Sequence, residues 1–423
     1  MVDVLRLRSF GADAALASRA LEQVARPWER SWRELQAAFD GVSGPYSYGL
    51  DHHLTDFGWE AVDLIHDLEP IQAAWIREHG PLRPARNRSV ALARAAVDHF
   101  RPRVVIDLNL KVFTVEDLAS LRRDHPSVEL TIGQINTTKR LDRAFGHDLV
   151  LSPRRPLIDL IRRAGGPPGR TFHHAFDPER APAPSMHRAS RVVVTGSTGR
   201  GRYSERTRVV AALLEAEAIE AWISEGKVDD FPIRRAWWKA PRGPGDLLSL
   251  MPAQLHAHLV RRSGRGAVSL DRRLRSDPTI APSGVAGDDR YPYTGLRSAF
   301  PERCHPPLFG DRMFALLGSS AGAVHHSIEP GATALRHFEV TGMGAVLITN
   351  AMDGLDEVFK VGSEILAYRD AAEAVEMARW VIADPGGAAR IGAAGRTRTL
   401  RDHSARTRSR QLGDILSDVL GAN

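Results

Sequence analysis

A chain of 423 residues exceeds one ordinary hydrophobic core and predicts two domains. Apolar residues make up 43% and charged residues 26%, as in globular proteins, and no apolar run is long enough to span a bilayer. The net charge of +6 and pI near 9.7 are carried mostly by arginine, but the basic runs 261–275 and 396–410 lack interleaved aromatics. They read as solvated faces or small-phosphate contacts, which argues against a nucleic-acid partner.

The first residues, MVDVLRLRSF, carry an early acid and neither a long apolar stretch nor a small-residue cleavage site, so they read as mature protein. Cys304 is the sole cysteine, so no intramolecular disulfide or thiolate metal cluster can form, which fits a cytoplasmic protein. Residues 15–40 show helical spacing, with Trp28 and Trp32 expected as core anchors. After a loop come the helix GLDHHL and the strand EAVDLI. The helix IQAAWIREHG follows, closed by Gly80, and then RSVALARAAVDHF, with Pro102 just beyond. RVVIDL is a short apolar run of the kind found in buried parallel strands. VEDLASLRRDH reads as helix, VELTIGQI and HDLVLSP as strands, and PLIDLIRRAGG as a helix with a glycine terminator.

A Pro/Ala-rich stretch, 177–190, then separates a second alternation. It opens with the strand RVVVTGS and the helix ERTRVVAALLEAEA. It resumes past an Arg/Gly/Pro-rich segment (239–308) with MFALLGSSA, AGAVHHS, GAVLITN, EILAY and AAEAVEMARWVIADP. The fold class is therefore α/β: two Rossmann-like domains whose parallel sheets face across a cleft. We divide the chain into 1–180, a linker over 181–190, a second domain over 191–400, and a C-terminal helix over 401–423 that could return to the first domain.

Ligands of open α/β sheets bind beyond the carboxyl ends of the strands, so polar residues there are the candidates. In VVVTGSTGRGRYSERTR, Gly196 and Ser197 let backbone N–H groups approach a phosphate, the next helix start favours an anion, and Arg200 adds charge. A flexible turn fits the same spacing. In LRHFEVTGMGAVLITN, Arg336 and Glu339 share a helix face. A guanidinium can grip a diphosphate and a carboxylate can accept a diol, while Gly342 and Gly344 allow close backbone approach. A surface ion pair is the alternative. Asp107, Asn109 and Gln134 close their strands at the crevice as acceptor contacts or as loop caps. His52, His53 and Asp51 open a helix after a Gly-containing loop and are the candidate general bases. The histidine pairs and acidic residues give no metal-ligand spacing, so no metal is expected.

Several co-ordered blocks carry a resemblance: PLFGDRMFALLGSSAGAVHHSIE (307–329), LRHFEVTGMGAVLITN (335–350), VFKVGSEILAYRD (358–370) and GRTRTLRDHSARTR (395–408). Together they resemble the CgeB-like (spore-maturation-protein-like) glycosyltransferases, a bacterial branch of the GT-B sugar-transfer enzymes. The upstream likeness is weaker but runs over most of 45–415. The resemblance implies a metal-independent transfer from a nucleotide diphospho-sugar, such as a UDP-sugar, to a small-molecule, glycan or protein acceptor. No cofactor beyond that co-substrate is implied. The second domain would bind the donor and the first the acceptor. On this match Glu339 contacts the ribose or sugar, Arg336 the diphosphate, Gly196 and Ser197 the phosphates, and His326 also faces the donor. The chain departs from the family at Gly331, Thr333, Ala334 and Val324, where relatives carry glutamate or asparagine. A nucleotide-sugar epimerase or hydrolase, or an inactive sugar-binding scaffold, is the alternative on the same architecture.

Overall fold

A computed structural model describes residues 2–10, 21–22, 24–43, 50–138, 140–199, 203–225, 295–329, 331 and 333–421. The first sheet holds β1 (Val4–Arg8), β2 (Ala61–Ile65), β3 (Val104–Leu108), β4 (Leu130–Gln134), β5 (Leu149–Ser152) and β6 (Gly169–Thr171). All pairings are parallel, in the order β2-β1-β3-β4-β5-β6. Its helices are α1 (Trp32–Ser43), α2 (Leu50–Leu54), α3 (Glu69–His79), α4 (Arg88–Phe100), α5 (Val115–Asp124) and α6 (Arg155–Arg163).

The period of two along each strand divides the core. Leu5, Leu7, Val62, Leu64 and Val105 bury one face against Trp32, Ile71, Trp75, Val97 and Leu121. Val4, Val104, Ile106, Ile132 and Leu151 bury the other against Leu50 and Leu54 of α2 and against Leu412 and Leu416 from the end of the chain.

The second sheet is built from β7 (Ala189–Thr198), β8 (Glu220–Glu225), β9 (Cys304–His305), β10 (Ser320–His325), β11 (Val346–Asn350) and β12 (Leu366–Tyr368), in the parallel order β12-β11-β10-β7-β8-β9. Around it lie α7 (Ser204–Glu215), α8 (Gly310–Gly318), α9 (Leu335–Gly342), α10 (Ala371–Ala383) and α11 (Pro385–Asp402), while the last helix, α12 (Ala405–Gly421), packs on the first domain. Val192, Val194, Val324 and Ile348 face α7 and α10, whereas Val193, Ala323 and Leu347 face α8 and α9.

Two expectations change. The helix does not run through Trp28: a one-turn 3-10 helix, Pro27–Glu29, is entered at Arg26 in the left-handed region (φ 52°), and α1 begins at Trp32. Trp28 is consequently 69% exposed, while Trp32 is buried. Strand β1 was unforeseen because Arg6 and Arg8 interrupt its apolar pattern. Both guanidiniums are buried, with Arg6 2.9 Å and Arg8 3.0 Å from Asp63, and Arg8 2.6 Å from Asp40. Gln36 of α1 shields the edge strand β2: its amide donates to the Asp63 carbonyl (2.7 Å) and accepts from the Ile65 N–H (2.8 Å).

The chain crosses between the sheets twice, and the crossings are bonded to each other. The Phe176 N–H donates to the His403 carbonyl (3.0 Å), and the Ala405 N–H donates to the Phe176 carbonyl (2.8 Å). Beyond the second crossing, α12 lies on α2, with Ser409 Oγ donating to the Leu50 carbonyl and Arg406 pairing with Asp56.

Candidate functional site

Helix α9 precedes β11 and runs antiparallel to it, so its first turn lies at the carboxyl edge of the second sheet. The free amides of that turn therefore face the crevice. His337 locks the turn: its Nδ1 accepts from the Ala334 N–H (3.0 Å), and its Nε2 lies 3.1 Å from Thr349 Oγ1. Burial lowers the His337 pKa to about 4, so the ring is neutral and carries its proton on Nε2.

One turn further on, Glu339 is 2% exposed, and its Oε2 lies 2.6 Å from Arg336 Nη1. Burial raises the Glu339 pKa and the Arg336 guanidinium opposes that rise. Glu339 Oε1 has no hydrogen-bond partner. This is a buried ion pair with spare bonding capacity, not a solvated surface pair.

Opposite α9, the last residues of β7 include Gly196 (φ 142°) and Ser197. Arg206, from the first turn of α7, donates from Nη1 to the Ser197 carbonyl (3.1 Å) and from Nε to the His326 carbonyl (2.8 Å). It thus ties the ends of β7 and β10 together. A cavity of about 420 Å³ opens between these groups and the first domain. Gly196, Ser197, Arg206, His325, Arg336 and Glu339 line the second-domain wall; Ser9, Asn109, Asn136 and Thr137 line the opposite one. A neighbouring cavity of about 820 Å³ shares Pro153, Ser327 and Thr333 with it and reaches His326 and Asn350. Both volumes fall within the usual range of small-molecule sites.

Among the described residues, polar contacts cross the cleft beside the shared wall. Arg154, 1% exposed, lies 3.1 Å from Glu329, and His173 Nδ1 lies 3.2 Å from Thr333 Oγ1.

The sequence candidates distribute unevenly around this geometry. Gly196, Ser197, Arg336, Glu339 and Asn109 line the first cavity, and His326 the second. Asp107 is fully buried and serves its own loop, accepting from the N–H groups of Lys111, Val112 and Phe113. Burial raises its pKa to about 6 against those three bonds. Gln134 is buried outside the lining, and its carbonyl accepts from the Asn109 N–H at 2.6 Å.

Gly342 and Gly344 sit at the carboxyl end of α9, hence at the amino edge of the sheet and away from both cavities. A Cβ on Gly342 would lie 2.4 Å from the Phe176 ring, and Gly344 has φ 74° beside Arg188. These glycines serve packing and helix termination, not ligand approach. His52 is exposed, and His53 is buried with Nε2 3.7 Å from Asp177; neither lines either of these two cavities, and α2 packs against α12. Asp51 belongs to α2, but its side chain lies outside the described residues, as do Arg200 and the run 261–275.

Arg206, His325 and Asn136 were missed. Among 57 lysines and arginines nothing in the sequence singles out Arg206. His325 is flagged only by its place at a strand end.

Residues 270–414 match the family described as glycosyl transferase-like. No curated protein matches the chain. Among solved structures, it is similar to sucrose-phosphate synthase from Thermosynechococcus elongatus, at 12% identity and TM-score 0.56 over 100% of both chains. It is also similar to Anabaena HepE, solved in complex with UDP-glucose, at 12% identity and TM-score 0.55 over 99% of this chain and 100% of that one. AviGT4, a glycosyltransferase involved in avilamycin A biosynthesis, aligns at 13% identity and TM-score 0.53 over 100% of this chain and 99% of that one. At such identities the likeness establishes the fold: the two facing parallel sheets form the GT-B architecture. No described helix is long and apolar enough to cross a membrane.

Proposed function

We propose that this chain is a glycosyltransferase that moves a sugar from a nucleoside diphospho-sugar to a hydroxyl or amine of an acceptor. The observation that carries this reading is Glu339, a buried carboxylate on the cavity wall with one oxygen held by Arg336 and the other unpartnered. A carboxylate in that state accepts hydrogen bonds from a ligand diol, as the ribose of a nucleotide would offer. The glycosyl transferase-like match and the GT-B fold support the same class, and UDP-glucose bound to HepE makes a UDP-sugar the first donor to try.

Departure of a nucleoside diphosphate requires its growing negative charge to be stabilised. We assign that task to Arg336, Arg206, the free amides of the first turn of α9 and the backbone at Gly196–Ser197. Arg206 acts through pre-organisation: its two carbonyl bonds fix the guanidinium before the ligand arrives. The acceptor would rest on the opposite wall, against Ser9, Asn109, Asn136 and Thr137, which offer uncharged hydroxyl and amide groups. The CgeB-like branch, a donor site in the second domain and an acceptor site in the first belong to this same reading.

A thermal-shift screen against UDP, GDP, TDP, CDP and ADP tests it, since a ligand of the native state raises its melting temperature by mass action. One nucleotide should stabilise the wild type and not Glu339→Gln. No shift with any of the five would overturn the proposal. Product analysis with and without acceptor then separates transfer from hydrolysis or epimerisation.

A further inference from the structure

Among the described residues, three buried polar atoms on the walls of the 420 Å³ cavity lack a hydrogen-bond partner: Glu339 Oε1, His325 Nε2 and Asn136 Oδ1. Buried polar groups are nearly always paired, so such atoms mark where a ligand completes the bonding. Glu339 is already used in the functional reading. His325 is not.

His325 is the last residue of β10 and is 8% exposed. Its neighbour His337 makes a T-shaped contact with it at 5.1 Å between ring centroids. The two rings have opposite bonding states. Both nitrogens of His337 are committed, to Ala334 and to Thr349, and that ring is structural. His325 Nε2 is committed to nothing. Burial, with the Arg206 and Arg336 guanidiniums beside it, keeps the His325 ring uncharged. An uncharged imidazole among fixed guanidiniums can still donate one N–H bond. The ligand that suits such a surrounding is anionic.

We propose that His325 is a direct ligand of the diphosphate: its Nε2–H donates to a phosphate oxygen seated between Arg206 and Arg336. The assignment rests on the nucleoside diphospho-sugar reading and adds a residue to it. His325 then discriminates nucleoside diphosphates from monophosphates, because only the longer anion places an oxygen at the end of β10. The bond is charge-assisted, and the loss of one such bond corresponds to about tenfold or more in affinity.

The test is calorimetric titration of the full chain with the diphosphate selected by the five-nucleotide screen, and with its monophosphate. Wild type is compared with His325→Phe, which keeps a ring against His337 and removes both nitrogens. The diphosphate should bind His325→Phe about tenfold or more weakly, with the monophosphate changed less than about twofold. The variant's melting temperature without ligand should be equal or higher, since an unpaired buried nitrogen has been removed. His325→Asn, which restores an N–H donor, should recover part of the diphosphate affinity. A purely structural role predicts a lower melting temperature and equal losses for both ligands, and either result overturns the assignment. Unchanged diphosphate affinity in His325→Phe overturns it too, while leaving the donor reading intact. Wild type that binds no nucleoside diphosphate removes the donor reading and this inference together.

Discussion

Arg336 and Glu339 can be separated into a structural and a chemical contribution. Arg336→Met leaves the Glu339 carboxylate 2% exposed and without its cation. Removing one partner of a buried pair costs on the order of 3–5 kcal/mol, and because Arg336 itself is 18% exposed the lower end applies. Glu339→Gln alongside it removes both charges at similar volume, and such neutral replacements are near-neutral in stability. The single variant should therefore melt well below wild type at pH 8, and the double variant close to it.

The pH dependence has a definite sign. Burial already raises the folded-state pKa of Glu339, and losing Arg336 raises it further. Between the unfolded and folded pKa values the native state holds the extra proton, so stability falls as pH rises through that window. The penalty of Arg336→Met should be largest at high pH and shrink towards pH 4.5. Turnover should drop in both variants by about 10²–10³, the usual loss on removing a group that stabilises transition-state charge. Chemical denaturation across pH, with a coupled nucleotide-release assay, measures both effects. A double variant with wild-type turnover, or a single variant with no stability loss at pH 8, refutes the reasoning.

His147 is buried with neither ring nitrogen partnered, and desolvation lowers its pKa to about 3. The unfolded state binds its proton first, so this contribution is present above pH 6.5 and lost as pH falls towards 3, at up to about 1.4 kcal/mol per pH unit. His147→Leu should flatten the urea-midpoint slope between pH 7 and 5 without lowering stability at pH 7. Gly342→Ala would place a methyl 2.4 Å from Phe176 and should destabilise by about 1–3 kcal/mol in thermal melts. Arg154→Met breaks the cross-cleft pair with Glu329. It should raise the donor KM more than it lowers kcat, and unchanged KM would make the pair irrelevant to the cleft.

Much of the architecture was legible because parallel strands buried on both faces read as short apolar runs, as RVVIDL and GAVLITN do. Strand β1 escaped because its two arginines are neutralised by Asp63 and Asp40, on segments far away in sequence. The Arg336–Glu339 pair was legible from its i,i+3 spacing, yet only the fold shows that it is buried. Gly342 and Gly344 misled because a glycine before a strand looks alike whether it admits a ligand or an aromatic ring. The histidines at 52 and 53 misled for a related reason: sequence gives no sign that a helix about 350 residues later packs on theirs. Arg206 was invisible because its distinguishing feature is two carbonyls from different strands.

The bonded crossings at Phe176 and His403–Ala405 have a mechanical corollary. Two tethers fastened at one point resist separation of the domains and leave rotation about that point as the soft motion. Helix α11 runs directly into this pivot, and its Thr399 hydroxyl lies 2.6 Å from the Thr341 hydroxyl of α9. Helix α11 is thus a lever arm that ends at the pivot and is geared to the helix bearing Arg336 and Glu339. A few degrees of swing at the crossings would reach the two charged side chains as a tilt of their own helix.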